Sequence, residues 1–162
     1  ESVLGIVTTR GALGDVFVMI FFGQVAVCGT TYVALGRVTS LAIALSVPVG
    51  AIATAIIVVN NLRDRATDEV AGKRTLAVRW GRRFALVEYA TLLAIAHAVP
   101  LVLAATGRPL LAIGALTAPL AWWRTRALTR AVPGPEMNAL LAATAQLLLL
   151  QAALLTAALV GS

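Results

Sequence analysis

Asn60, Asp64 and Asp68 recur every four residues. On an α-helix each step of four carries a side chain only about 40° past a full turn, so the three project from one face. Two carboxylates one turn apart repel when both are ionised, and they are tolerated where a cation sits between them. Oxygen ligands with positions left open suit Mg²⁺, which keeps several waters and shares the oxygens of a substrate phosphate. Gly72 comes next, followed at once by Lys73 and Arg74. A glycine lets the backbone turn. The cations beyond it could take further phosphate oxygens, the arginine with a bidentate fork. Asp64 and Asp68 are therefore candidate metal ligands and catalytic groups, and Asn60, Lys73 and Arg74 are candidate diphosphate-binding groups. The bland alternative is a solvated loop, in which mixed acids and bases make surface ion pairs worth about 0.3–0.5 kcal/mol each. Spacing alone leaves both readings open.

The elements that must carry these residues are apolar. The chain is 60% hydrophobic and 12% charged, with a mean hydropathy of +0.92, whereas soluble domains carry about 25% charged residues. So much apolar surface has to face lipid, which predicts an all-α, multi-pass transmembrane helix bundle. Apolar runs over 16–35, 41–59, 84–105, 110–123 and 139–160 predict about five helices. The fourth run is short for a span, which needs about 20 residues. Charge argues for keeping it. Basic residues favour the cytoplasmic side of short loops. With five crossings and the loop 60–83 inside, Arg10, the seven basic residues of that loop, Arg124, Arg126 and Arg130 all lie inside. Only Arg37 and Arg108 lie outside. Trp80, Trp122 and Trp123 then sit at the inner boundary, where indoles concentrate. The formal net charge of +6 is thus accounted for by topology, and nucleic-acid binding is a poor reading of it. Pro48 and Pro100 fall in or near spans and are expected to kink them.

The chain begins at Glu1 without a basic, then apolar, leader, and is expected to be an interior piece of a longer protein. Cys28 is single, so it has no partner for an internal disulfide, and is expected to pack as a small residue. Glu88 is expected near the interface, because a charge at the bilayer centre is costly. His97, Gln146 and Gln151 are expected to hydrogen-bond between helices. Glu1, Asp15, Glu88 and Glu136 are isolated acids in the sequence. Thr30, Thr31 and Tyr32 fall toward the outer end of the first span and carry no substrate assignment.

The stretch "NNLRDRATDEVAGKRTLAVRWG" (60–81) resembles the second aspartate-rich motif of the UbiA superfamily of membrane prenyltransferases. The Asn-Asn-x-Arg-Asp-x-x-x-Asp core followed by GKRTLAVR is most similar to the branch that acts on 1,4-dihydroxy-2-naphthoate in menaquinone biosynthesis. "LGDVFVMIFFGQVAVCGTTYV" (13–33) resembles the preceding helix of that branch, and the resemblance extends over about 11–160. It implies a nine-helix bundle, of which these would be the last five, so that 1–162 is the C-terminal part of one transmembrane prenyltransferase domain. It also implies Mg²⁺, a polyprenyl diphosphate donor, an aromatic acceptor and a place in the cell membrane with the motif loop in the cytoplasm. By motif position Asp64 and Asp68 would bind metal, Asn60 would help to place the metal–diphosphate, and Lys73 and Arg74 would neutralise the departing diphosphate. Arg82 and Arg83, just before an apolar run, are expected to anchor the next helix. The family's first aspartate-rich motif is missing here, which puts the competence of this chain alone in doubt and implies an N-terminal half as partner. Acceptors such as 4-hydroxybenzoate, and a non-catalytic cation or lipid-diphosphate carrier, are the competing readings.

Overall fold

The computed structural model describes residues 12–161; Arg10, the rest of segment 1–11 and Ser162 lie outside the described residues. Among the described residues the chain is helical with no strand, as an apolar chain in lipid requires if every backbone polar group is to be satisfied internally. The first rod is built from α1 (Ala12–Val18), a π-helical stretch (Met19–Val25) and α2 (Ala26–Leu35). Gly36, at φ 68°, closes it by returning its N–H to the Tyr32 carbonyl at 2.8 Å. α3 (Ser40–Arg63) starts on Thr39, whose hydroxyl accepts the Ala42 N–H at 3.1 Å. After α4 (Arg65–Val70), Thr75 caps α5 (Leu76–Ala105) by accepting the Val78 N–H at 3.3 Å. A 3₁₀ segment (Pro109–Thr117) leads into α6 (Ala118–Arg130), and α7 (Pro135–Val160) ends the described chain.

Four helical rods are long and apolar enough to cross a membrane: Leu13–Leu35, Ser40–Arg63, Leu76–Ala105 and Pro135–Val160. The fold is an all-α membrane bundle with α3 at its centre. Ala51, Ile52, Ala55 and Val59 of α3 are fully buried and pack with Tyr89 and Ala96 of α5 and Leu147 of α7. The first rod crosses α3 at two glycines. A Cβ on Gly23 would lie 2.8 Å from the Ser46 carbonyl oxygen, and one on Gly50 would lie 2.7 Å from that of Met19. Only hydrogen fits at this backbone approach.

The apolar run 110–123 does not form a helix of its own. Its first part winds as the 3₁₀ segment and the rest as α6, which continues to Arg130. The combined stretch is not among the four rods above, and its last turns carry Arg124, Arg126 and Arg130. The expected loop 60–83 is itself mostly helical, formed by α4 and the first turns of α5. Pro48 and Pro100 are buried inside helices that continue through them, whereas the non-helical backbone within α5 is at Gly81, φ 78°.

A buried polar network holds α5, the 3₁₀ segment and α7 together. The Gln151 amide donates to the Ala96 carbonyl at 2.7 Å, and Gln151 Oε1 lies 3.0 Å from Thr117 Oγ1. Thr117 Oγ1 also lies 2.9 Å from His97 Nε2, and His97 Nδ1 is 2.7 Å from the Leu93 carbonyl oxygen. A carbonyl only accepts, so the proton belongs on Nδ1 and His97 is turned to face Thr117. His97 and Gln151 join helices as their residue types suggested; Gln146 is exposed and does not.

Candidate functional site

The row Asn60–Asp64–Asp68 crosses from α3 into α4. Asp64 is the junction, at φ −91° and ψ 5°. The helical hydrogen bonds nevertheless continue across it: Asp64 N–H donates to the Asn60 carbonyl at 3.0 Å and Asp68 N–H to the Asp64 carbonyl at 2.8 Å. The one-turn spacing therefore survives the break. Asn60 and Asp64 are half-buried, and Asp68 is buried at 6% exposure. Gly72, at φ 72°, reverses the chain after α4 in a backbone conformation that favours glycine. The reversal brings the Lys73 ammonium to 2.9 Å from Asp68 Oδ1. Arg74 is exposed and makes no side-chain hydrogen bond among the described residues.

Arg63 was not among the residues marked by spacing, and it organises the row. Its Nε and Nη2 donate to the two oxygens of Asp64 at 2.7 Å each, Nη2 donates to Asn60 Oδ1 at 2.8 Å, and Nη1 donates to Asn138 Oδ1 at 2.9 Å. The hydrogen bond from Arg63, helped by the charges of Arg63 and Lys73, holds the Asp64 carboxyl below its ordinary range. Asp68, by its hydrogen bond and its charge, raises Lys73 above its ordinary value. Asp64 is thus held as an anion by Arg63, and Asp68 accepts from the Lys73 ammonium. The signal for Arg63 was its position: three residues after Asn60 and next to Asp64, it is within reach of both.

Asp15 was also missed. It is 4% exposed in α1, yet its Oδ1 accepts from the Asn61 amide at 3.3 Å, so it touches the residue beside Asn60. An acid inside an apolar span is itself a signal. Arg82 reaches α6 instead of only marking a boundary. Its Nη2 donates to the carbonyls of Leu128, Thr129 and Ala131 at 3.0, 3.2 and 2.8 Å, capping the helix C-terminus.

A cleft of about 250 Å³ is lined by Arg63, Arg65, Arg82, Glu69, Leu62 and Pro133 among others, and by none of Asn60, Asp64 and Asp68. A larger cleft of about 530 Å³ lies at the opposite end of the bundle, around residues 106–111, where Arg108 is the charged lining residue. The smaller one has the cations that an anionic group needs. No group of three or more His, Cys, Asp or Glu converges among the described residues. Asp64 and Asp68 lie one helical turn apart, and each carboxylate is taken by a cation of the chain itself, Arg63 or Lys73. The carboxylates already bind cations, so the donor set and its charge suit a divalent ion.

A helical bundle with four rods long and apolar enough to cross a membrane among its described residues defines a multi-pass membrane protein. Residues 7–148 match the UbiA prenyltransferase family, and the chain belongs to that family. It is 43% identical over 108 residues to the 1,4-dihydroxy-2-naphthoate octaprenyltransferase of Mycobacterium tuberculosis, covering 67% of this chain and 37% of that protein. It is 38% identical over 128 residues to the protein of the same name from Mycobacterium leprae, covering 79% of this chain and 43% of that protein. To the human UbiA prenyltransferase domain-containing protein 1 it is 34% identical over 111 residues, covering 68% and 33%. The matched segment is under half the length of each of these relatives.

Proposed function

We propose that this chain is the C-terminal part of a membrane enzyme that transfers a polyprenyl group from polyprenyl diphosphate to 1,4-dihydroxy-2-naphthoate. Loss of CO₂ then gives demethylmenaquinol. The observation that carries the reading is the Asn60–Asp64–Asp68 row at the end of a membrane rod, with Lys73 folded back onto it. Family membership and the names of the naphthoate relatives support the reaction class and the acceptor.

Asp64 and Asp68 would hold Mg²⁺, with Asn60 beside them. The ion would supply positive charge to the diphosphate oxygens as negative charge grows there. Lys73 and Arg74 would meet the remaining oxygens. Breaking the allylic C–O bond leaves the electron pair on diphosphate and a cation on the prenyl group. The electron-rich acceptor carbon that bears the carboxylate attacks that cation, a C–C bond forms, and the carboxylate departs as CO₂. The apolar rods exclude water, which strengthens each charge contact and protects the cation from hydrolysis. Residues 60–83 would face the cytoplasm and the protein would reside in the plasma membrane, in keeping with the basic asymmetry. A first aspartate-rich motif, Asn-x-x-x-Asp-x-x-x-Asp, would come from an N-terminal half outside this chain.

The full-length protein in liposomes, given radiolabelled polyprenyl diphosphate, Mg²⁺ and either 1,4-dihydroxy-2-naphthoate or 4-hydroxybenzoate, tests this. Prenylated naphthoquinol with stoichiometric CO₂ is the expected product. Product only with 4-hydroxybenzoate would replace the acceptor, and donor binding without bond cleavage would replace the enzyme with a carrier.

A further inference from the structure

Arg124 stands close to the end of α6, where Trp122, Trp123, Arg126 and Arg130 gather as such residues do at a membrane boundary. Its Nε and Nη1 are enclosed by the bundle and have no hydrogen-bond partner. Its charge reaches Tyr89 of α5, yet neither ion pair among the described residues includes it. The acids of the neighbouring helices do not meet it. Glu136 of α7 accepts the Val132 N–H at 3.2 Å, and Glu88 of α5 forms no ion pair among the described residues. We propose that Arg124 and the cleft beside it, between α6 and α7, bind the phosphate of an anionic membrane lipid whose chains run out over Leu120 and Trp123. The inference stands apart from the prenyl-transfer reading.

The cleft has a volume of about 230 Å³. Arg124 is the charged residue of its lining; Leu120 and Trp123 of α6, Leu140 of α7 and three alanines supply the rest. Leu140 is buried and forms the floor, whereas Trp123 is 74% exposed, so the cleft opens toward the surface that meets lipid. A guanidinium keeps its charge, and buried donors left without an acceptor are costly. Water does not relieve that cost at Nε or Nη1, which it does not reach. Arg126 shows the ordinary alternative: it is exposed and lies over the Trp122 ring, 4.9 Å from its centroid. A phosphodiester supplies what Arg124 lacks. It sets one negative charge against one cation, and its oxygens accept from the planar fork. Nη2 is not enclosed and offers the first contact; a small turn of the guanidinium then brings a second nitrogen alongside. The acyl chains match the apolar walls, and a basic pocket between membrane helices is where lipid headgroups lodge. A diphosphate brings more charge than this single cation balances, and no residue of the Asn60–Asp64–Asp68 row lines the cleft.

The test is native mass spectrometry of the full-length protein released from neutral detergent and titrated with phosphatidylglycerol. Phosphatidylcholine, inorganic phosphate and 1,4-dihydroxy-2-naphthoate are the comparison probes. Wild type should bind a first phosphatidylglycerol about tenfold more tightly than phosphatidylcholine. Arg124→Gln should lose about tenfold at that first site, because the charged hydrogen bonds go with the guanidinium. Arg126→Gln removes the same charge from an exposed position and should stay within about twofold of wild type. Equal losses in the two variants would mark a diffuse attraction of the surface. An unchanged Arg124→Gln would mean that another part of the full-length protein satisfies the arginine. Either result overturns the inference. So does displacement of the lipid by naphthoate or inorganic phosphate at similar concentration, since the occupant is then a free anion. Thermal unfolding supplies the second reading. Arg124→Gln removes a buried charge without an acceptor, so in neutral detergent it should unfold at a temperature no lower than wild type. Added phosphatidylglycerol should raise the midpoint of wild type and not that of Arg124→Gln. A variant less stable than wild type before lipid is added would mark Arg124 as a structural contact and overturn the inference as well.

Discussion

Lys73 Nζ lies 2.9 Å from Asp68 Oδ1 across the left-handed turn at Gly72. The two residues are five apart, and the turn brings the cation back to the row instead of onward into solvent. Asp64 is matched in the same way by Arg63 at 2.7 Å. Each of the two carboxylates is therefore matched by a cation of the chain itself.

The pH behaviour follows from these pairs. Asp64 is lowered from its ordinary 3.8, so its pairing contributes fully above that value and is lost as pH falls through the lower folded value. Lys73 is raised from its ordinary 10.5, so its contribution is present below that value and is lost as pH rises through the higher folded value. Between about pH 5 and 9 neither pair should change charge. Carboxyl resonances of selectively labelled Asp64 should titrate below 3.8 in wild type, and move back up in Arg63→Gln. A wild-type midpoint at or above the ordinary value would contradict the pairing.

The two glycines at the crossing of the first rod and α3 should tolerate no side chain. Gly50→Ala places a methyl 2.7 Å from the Met19 carbonyl oxygen, and Gly23→Ala places one 2.8 Å from that of Ser46. Both contacts are with backbone, which cannot swing aside, so each substitution should cost about 1–3 kcal/mol. Gly29→Ala meets nothing within 4 Å and should be neutral or stabilising by up to about 1 kcal/mol. Reversible unfolding in mixed detergent measures all three. A Gly29 variant less stable than the Gly50 variant would show that the rods do not cross there.

Arg74 and Arg82 should separate function from stability. Arg82 binds three carbonyls at the end of α6, so Arg82→Ala should lower the yield of folded protein with little change in turnover per folded molecule. Arg74 is exposed and makes no side-chain hydrogen bond among the described residues, so Arg74→Ala should leave the fold intact. It should lower turnover by about a hundredfold to a thousandfold if the side chain meets charge developing on the leaving group. Turnover normalised to folded protein decides, and a larger loss in Arg82→Ala would reverse the assignment.

The row itself was legible because a period of four in polar residues at the end of an apolar run has one geometric meaning on a helix. Lys73 was legible through Gly72, whose type alone permits the turn. Arg63 and Asp15 were not. Arg63's reach to Asn60 and Asp64 and the acid in an apolar span were local signals, but the contacts with Asn138 and Asn61 lie 75 and 46 residues away, and no local pattern encodes those. The π-helical stretch at Met19–Val25 and the 3₁₀ segment at Pro109–Thr117 were also hidden, because an apolar run looks the same however tightly it winds. The helical break fell at Gly81 and not at Pro48 or Pro100. A buried proline in a bundle can be accommodated by its neighbours, while a glycine at φ 78° ends the helical path outright.

The most direct measurement is Mg²⁺-dependent prenyl transfer by full-length Asp64→Ala and Asp68→Ala, normalised to folded protein in the membrane. Both should insert and fold, because neither residue belongs to the apolar core. Each should lose at least about a hundredfold in turnover that added Mg²⁺ does not restore. Near wild-type turnover in either variant at saturating Mg²⁺ would contradict the assignment of this row as the metal and diphosphate site.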